Sequence, residues 1–283
     1  MYTKTKLKQH IKDLNWRYNE NLIPTIKYKL QKLKKRKIAD AVKNEIKRIV
    51  SEVNENGYSF SSIDDLNIYN FQKDIEPLRF YKSKNHSRFY EQTLLSIKNN
   101  NKTSYQIDIL KDASSDVRDP AVRIIKNPIF KIISEEYYKM LTKFWEYSSM
   151  LTFPSTENPK MSQLWHRDPE DILILKHFIF LEDIEIDNGP IFYAPGTHHL
   201  GNIKKTPKSF IENKAPRVKD EDMEKIVPRD KWVSAIGKRG TIFFADTRGY
   251  HKGGYLKKNS RWIMQGQYIS PSAHVKQKII NFK

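Results

Sequence analysis

Two stretches of sequence carry most of the information about this chain: residues 163–168 read QLWHRD, and residues 240–253 read GTIFFADTRGYHKG. In a β-strand, side chains two residues apart point to the same side and lie about 6.6 Å apart along the chain. His166 and Asp168 therefore face one side of a predicted strand, and Arg167 faces the other. Taken alone, such a pair usually means a histidine hydrogen-bonded to a carboxylate.

The second stretch supplies another histidine in a similar setting. His251 lies 85 residues after His166, follows the strand-like run Thr241–Ala245 and precedes a glycine-rich turn. Two histidines and one carboxylate form the facial triad of non-haem Fe(II) oxygenases, which keeps coordination positions open for a cosubstrate and O2. We predict that His166, Asp168 and His251 are the metal ligands and the catalytic centre.

Arg261 begins a further strand-like run ten residues after His251. A ferrous ion, Asp168, Arg261 and a dicarboxylate such as 2-oxoglutarate together carry no net charge, which favours their burial in one pocket. The planar guanidinium can hold a distal carboxylate through two hydrogen bonds, which a lysine does less well. We therefore predict that Arg261 binds the cosubstrate.

The motifs around these residues resemble those of the phytanoyl-CoA dioxygenase family of Fe(II)/2-oxoglutarate oxygenases. They are WHRD at 165–168, LED at 181–183, NGP at 188–190, YAPGTH at 193–198, and the 240–253 stretch followed by Ser260 and Arg261. The resemblance is good over residues 161–268 and patchy over 57–153, and it leaves out residues 1–50.

The resemblance implies a double-stranded β-helix barrel in which His166, Asp168 and His251 bind iron and Arg261 grips the C5 carboxylate of 2-oxoglutarate. The keto acid would chelate the iron and, with O2, yield succinate while hydrogen is removed from a substrate carbon. Asp168 favours hydroxylation, because related halogenases replace this carboxylate by a small residue. Gly253 stands where some relatives carry a hydroxyl side chain that contacts the keto acid.

The hydrophobic pattern agrees with a fold that is α+β or mainly β. A helix is predicted over residues 24–53, because the apolar residues Ile38, Val42, Ile46, Ile49 and Val53 recur at helical spacing. Another helix is predicted from Pro128 towards Phe144. Short strand-like runs then recur between turn signals, at 148–153, 164–168, 172–181, 191–194, 232–235, 241–245 and 261–269. We expect a jelly-roll, cupin-like barrel at residues 54–283, with helices packed on one side and a basic helical extension at residues 1–53.

Several other polar residues are candidates for the pocket. Lys176 and His177 lie in an apolar strand, where one of them must face inward, so His177 is a candidate contact to the keto acid or a satisfied core group. Gln265 shares the face of Arg261 by alternation and is a second candidate cofactor contact. Arg167, Arg248 and Lys252 flank the triad, either as a basic rim for an anionic substrate or as solvated charges.

The charge of the chain raises two further kinds of partner. The 283 residues carry a net charge of +18, and residues 1–50 hold 15 Lys or Arg against four Asp or Glu. Compositional drift and a solvated helix face explain this best, and nucleic acid is an unfavoured partner because the alternating aromatic and basic residues of a stacking surface are missing. A weak contact of residues 24–53 with an anionic membrane stays open.

Three functions are therefore weighed: an oxygenase of a small, carrier-linked or glycan-linked metabolite, a nucleic-acid-binding protein or oxidative demethylase, and a metal-binding barrel without redox chemistry. The last leaves Arg261 unexplained. The chain has no cysteine, no apolar run of about 20 residues for a membrane span and no apolar segment near its start, so a cytoplasmic location is expected. The oligomeric state and the prime substrate stay open.

Overall fold

Nine antiparallel strands form two sheets in the computed structural model, which describes residues 4–33, 38–99, 105–209 and 217–273. The strand order is β1-β7-β4-β9-β3-β2 in the larger sheet and β6-β5-β8 in the smaller. The strands are β1 Tyr58–Ser62, β2 Gln106–Asp108, β3 Lys143–Thr152, β4 Leu175–Phe180, β5 Ile191–Tyr193, β6 Val233–Ala235, β7 Thr241–Asp246, β8 His251–Gly253 and β9 Arg261–Ile269.

The two sheets pack face to face because one set of alternating side chains from each sheet is apolar. Phe178, Phe243 and Ile263 of the larger sheet share a buried cluster with Ile191 and Tyr193 of the smaller. The antiparallel jelly-roll expected from the sequence is thereby confirmed. In the part of the chain that the structure describes, the strands form two facing sheets and do not close into a continuous barrel.

Helices cover the other face of the larger sheet, as predicted. His177, Ile179 and Phe244 point to this side, and the buried apolar side chains there pack against those of the helices. The helices are α1 Lys4–Asn15, α2 Leu22–Leu33, α3 Asp40–Asn56, α4 Phe71–Lys98, α5 Ser115–Ile125, α6 Pro128–Tyr138 and α7 Asp220–Glu224, and a π-helical segment, Trp16–Glu20, lies between α1 and α2. None of the described helices is both long and apolar enough to cross a membrane.

The predicted helix over residues 24–53 is two helices. Helix α2 ends at Leu33, Ile38 and Ala39 are not helical, and the basic residues 34–37 lie outside the described part of the chain. Four of the five predicted apolar side chains, Val42, Ile46, Ile49 and Val53, are buried on α3, whereas Ile38 lies ahead of the helix and is only partly buried. The division into residues 1–53 and 54–283 stays a prediction.

Two other helical regions differ from the sequence prediction. Helix α4 covers 28 residues of a stretch whose second half is mostly polar, and it buries only a few side chains, so its apolar periodicity is weak. Helix α6 ends at Tyr138 because Lys139 adopts a left-handed conformation with φ of 57°. Phe144 therefore belongs to β3 and not to the predicted helix.

Candidate metal centre

The two predicted histidine ligands lie opposite each other on neighbouring segments of backbone. The His166 amide donates to the His251 carbonyl at 3.0 Å, and the His251 amide donates back to the His166 carbonyl at 3.1 Å. Two residues further on, the Asp168 amide donates to the Thr247 carbonyl at 2.9 Å. This antiparallel pairing places the imidazole rings side by side, with their centroids 4.3 Å apart.

The three predicted ligand side chains converge. Nε2 of His166 is 3.9 Å from Oδ1 of Asp168, and Nε2 of His251 is 3.7 Å from Oδ2 of the same carboxylate. One ligand atom from each residue can be chosen so that all three lie within 4.8 Å of one another. Among the described residues, no other set of three His, Asp or Glu side chains meets this condition.

Both imidazoles are held in the form that a metal ion requires. Nδ1 of His166 lies 2.8 Å from the Leu164 carbonyl, and Nδ1 of His251 lies 3.0 Å from the Gly249 carbonyl. A carbonyl accepts only from an N–H, so the proton of each neutral ring sits on Nδ1 and the lone pair of Nε2 faces the carboxylate. Burial, reinforced by the neighbouring His251, lowers the pKa of His166 to about 3. Burial also lowers the pKa of His251, so both rings are neutral at pH 7.

A lysine that the sequence analysis did not assign to the site holds the ligand carboxylate. Nζ of the buried Lys176 lies 2.7 Å from Oδ2 of Asp168. Burial alone would raise the pKa of Asp168, but the Lys176 ammonium, followed by the two histidines, holds it well below its usual range. The charged carboxylate therefore sits ready as a ligand. The sequence signal for Lys176 was the alternation of side chains along β4, which requires Lys176 and His177 to face opposite sides of the sheet.

His177 is on the other side of the sheet. Its ring stacks on Phe130 at a centroid distance of 4.0 Å, and its Nε2 lies 3.0 Å from the Ile125 carbonyl. Burial lowers the pKa of His177 to about 4, which keeps the ring neutral in the core. The structure therefore does not bring His177 to the pocket. The sequence left two interpretations open, a contact to the keto acid and a satisfied core group, and the surroundings of His177 are those of a core group.

Arg261 lines the same cavity as the three ligand side chains, together with Gln265; the cavity has a volume of about 300 Å³. The guanidinium is buried, its Nη1 finds no hydrogen-bond partner in the described part of the chain, and its Nη2 is 3.5 Å from Oγ1 of Thr152. Burial lowers the pKa of Arg261 to about 10. A buried guanidinium with an unused donor fits an anionic ligand, and two neutral imidazoles with a carboxylate fit Fe(II), so these residues suit iron and a dicarboxylate.

The charged residues around the cavity differ in how they are engaged. Arg167 stacks 4.0 Å over the Tyr250 ring, and Arg248 donates to the Asp168 carbonyl at 2.7 Å. Neither of these two arginines lines the cavity, whereas Lys252 does and is paired with Asp220. The lining also includes the acidic side chains Glu146 and Glu170. The basic rim predicted from the sequence is thus largely engaged in contacts within the protein.

Comparison with known proteins identifies the family. The profile of the phytanoyl-CoA dioxygenase (PhyH) family matches residues 38–257, which is 220 of the 283 residues. This chain belongs to the phytanoyl-CoA dioxygenase family. The match begins ahead of α3, so the expectation that all of residues 1–50 lie outside the family region is wrong for residues 38–50. Arg261 lies four residues beyond the matched range.

Several solved structures share the fold of this chain. The non-haem α-ketoglutarate-dependent epimerase SnoN from nogalamycin biosynthesis is 12% identical, covers 81% of this chain and 84% of its own, and has a TM-score of 0.52. The carbocyclase SnoK from the same biosynthesis is 14% identical, with coverages of 81% and 86% and a TM-score of 0.51. AviO1 from Streptomyces viridochromogenes Tue57 is 15% identical, with coverages of 80% and 96% and a TM-score of 0.51. No curated protein matches the chain by sequence.

Family membership makes this PhyH protein an enzyme of the 2-oxoglutarate-dependent, non-haem iron class. The predicted cofactors, Fe(II), 2-oxoglutarate and O2, are those of the family and are confirmed at that level. The His-Asp-His group of side chains required for the iron is present in the structure.

Proposed function

We propose that this PhyH protein hydroxylates an unactivated C–H bond of a small molecule. In the reaction, substrate R–H, O2 and 2-oxoglutarate give R–OH, succinate and CO2. The observation that carries the proposal is the meeting, in one cavity, of three metal-ligand atoms within 4.8 Å and a buried guanidinium with a free donor. Asp168 supports hydroxylation over halogenation, because its carboxylate occupies a position that a halide would need.

In this proposal His166, Asp168 and His251 would hold the iron. Bound iron would supply redox chemistry with O2. The Nδ1 hydrogen bonds to Leu164 and Gly249 fix both rings, so the lone pairs are aimed before the ion arrives. Lys176 neutralises Asp168 until that carboxylate is needed as a ligand.

Arg261 is the proposed anchor of the distal carboxylate of 2-oxoglutarate. The buried location strengthens a charge-assisted bond to that carboxylate, since water cannot screen it. Gln265 lies on the same strand face and lines the same cavity, and it is a second proposed contact. Gly253 stands beside this arginine, because a Cβ there would lie 3.4 Å from its Nη2.

The size of the cavity supports a small substrate. Its volume of about 300 Å³ is at the lower end of the usual range for ligand sites, and cosubstrate and substrate would share it. Two proteins of similar fold, SnoN and SnoK, belong to nogalamycin biosynthesis, so this fold is used on small molecules elsewhere. A carrier-linked or glycan-linked substrate would extend beyond the cavity mouth and has no contact in its favour.

The test is O2-dependent succinate formation by purified enzyme reloaded with Fe(II) under anaerobic conditions. His166→Ala and Asp168→Ala should abolish both iron binding and succinate formation, because each removes one of three ligands. Candidate substrates are then screened by mass spectrometry for a gain of one oxygen atom derived from labelled O2. Iron-independent succinate formation by the Asp168→Ala variant would refute the metal assignment, and products without added oxygen would refute hydroxylation.

A further inference from the structure

The N-terminal helical segment, residues 4–33, rests on the rest of the protein through the ring of Trp16, which is buried in the main core beside Tyr138, and through several polar contacts. Nδ2 of the buried Asn21 donates to Oγ of Ser272 at 2.7 Å, and the Tyr28 hydroxyl donates to Oε2 of Glu136 at 2.8 Å. The Leu141 amide donates to the Pro24 carbonyl at 3.2 Å. These contacts fix which face of the segment is turned towards the body.

The opposite face carries an unusual number of large apolar side chains. Seven of the fifteen large apolar side chains that the described residues expose lie between residues 11 and 30, and each is 42–65% exposed. We call them the apolar stripe: Ile11, Leu14, Tyr18, Leu22, Ile23, Ile26 and Leu30. Leu22, Ile23, Ile26 and Leu30 lie on the side of α2 away from its buried Thr25 and Tyr28, and Ile11 and Leu14 lie three residues apart on α1. A surface helix normally turns this face inward, so the arrangement points to an external partner.

The charge around the apolar stripe selects the kind of partner. Lys8, Lys12, Lys27 and Lys29 are exposed within the same segment. Residues 1–37 hold 12 Lys or Arg against two Asp or Glu, a net charge of +10. A basic helix with aliphatic side chains and an interfacial tyrosine has the composition of a segment that lies on an anionic lipid surface.

We propose that the apolar stripe and its lysines bind this protein to anionic lipid bilayers, with the helices lying on the surface. A second copy of the chain would set one +10 segment against another, which like-charge repulsion disfavours. Nucleic acid would engage the lysines but leave seven aliphatic or aromatic side chains in water. The apolar side chains of α3 play no part in lipid binding, because they are buried in the core.

Vesicle sedimentation with the full-length protein tests the proposal. Vesicles of phosphatidylcholine with phosphatidylglycerol should bind the protein, binding should weaken as salt rises, and vesicles of phosphatidylcholine alone should bind at least about tenfold more weakly. The triple variant Ile23→Ser/Ile26→Ser/Leu30→Ser should lose about tenfold or more of the partition into anionic vesicles. Its melting temperature should not change, since the three side chains are exposed.

The matched control is Tyr69→Ser/Phe80→Ser, which removes two side chains that are 84% and 71% exposed elsewhere on the surface. This variant should bind vesicles like the unchanged protein. Undiminished binding by the triple variant, or equal binding to neutral and anionic vesicles, would overturn the proposal. So would a dimer in analytical ultracentrifugation that the triple variant abolishes, because the stripe would then bind a second copy. None of these readouts depends on the proposed enzymatic reaction.

Discussion

Replacing Arg261 by methionine should stabilise the cofactor-free protein and destroy its affinity for 2-oxoglutarate. The guanidinium is buried, and its Nη1 has no hydrogen-bond partner among the residues that the structure describes. Burial lowers the pKa of this guanidinium to about 10. At pH 7 the group is charged in both the folded and the unfolded chain, so the whole of this unfavourable free energy acts against folding.

A pKa lowered this far, to about 10, corresponds to about 3 kcal/mol against the charged side chain in the folded protein. Methionine fills less of the site, and the lost packing should offset part of this gain. A net gain of about 1 kcal/mol would raise the melting temperature by about 2–4 °C. The loss of two charge-assisted hydrogen bonds to a carboxylate, at about 1.5–3 kcal/mol each, should raise the KM for 2-oxoglutarate by about a hundredfold or more.

Two measurements decide the matter: thermal unfolding with and without 2-oxoglutarate, and succinate formation as a function of 2-oxoglutarate concentration. Arg261→Lys is the matched control, because it keeps a buried charge and one hydrogen bond. It should gain no stability and should lose less affinity than the methionine variant. An unchanged KM for 2-oxoglutarate in Arg261→Met would refute the assignment of the arginine, whatever happens to the melting temperature.

Three further predictions concern residues near the site. Gly253→Ser should leave the melting temperature unchanged, because a Cβ there meets Nη2 of Arg261 at an ordinary 3.4 Å. The added hydroxyl should lower the KM for 2-oxoglutarate, whereas Gly253→Ala should not. Equal KM values for the two variants would contradict this prediction. Lys176→Met should tighten anaerobic Fe(II) binding about tenfold or more, because it removes a cation that competes for the Asp168 carboxylate. Lys252→Met is the control. Weaker Fe(II) binding by Lys176→Met would show that Lys176 positions the carboxylate instead. The folded-state pKa of His177, about 4, lies below its unfolded value near 6.5, so the unfolded chain takes up the proton first and this histidine alone should lower the stability by about 3 kcal/mol from pH 6.5 to pH 4. Urea unfolding across this range should show a slope smaller by up to about 1.4 kcal/mol per pH unit in His177→Gln, and parallel curves would count against the neutral histidine.

Most strands of the second half of the chain could be predicted because they are short apolar runs between turn residues, whereas β8, with the sequence HKG, was missed. β4, β5, β6, β7 and β9 all lie at or within the runs identified from the sequence. Helix α4 was missed because few of its side chains are buried, so its pattern is set by solvent and not by the core.

In the candidate site, too, some residues could be predicted from the sequence and others could not. His166 and Asp168 could be paired by the alternation of a predicted strand, although the structure has only isolated bridges at Trp165 and His166 there. His251 could be added by the chemistry of a facial triad. Lys176 could not be assigned, because alternation says that it and His177 face opposite sides but not which side is the pocket. Only the packing of the ring of His177 on α6 decides that question.

The paired backbone of His166 and His251 has a consequence for the whole protein. A metal ion held by both imidazoles would cross-link segments that are 85 residues apart in sequence, in the manner of a staple. Stripping the ion should therefore accelerate deuterium uptake at these two amides before any distant part of the sheet responds. The iron status of a preparation should be readable from the backbone alone, without a substrate in hand.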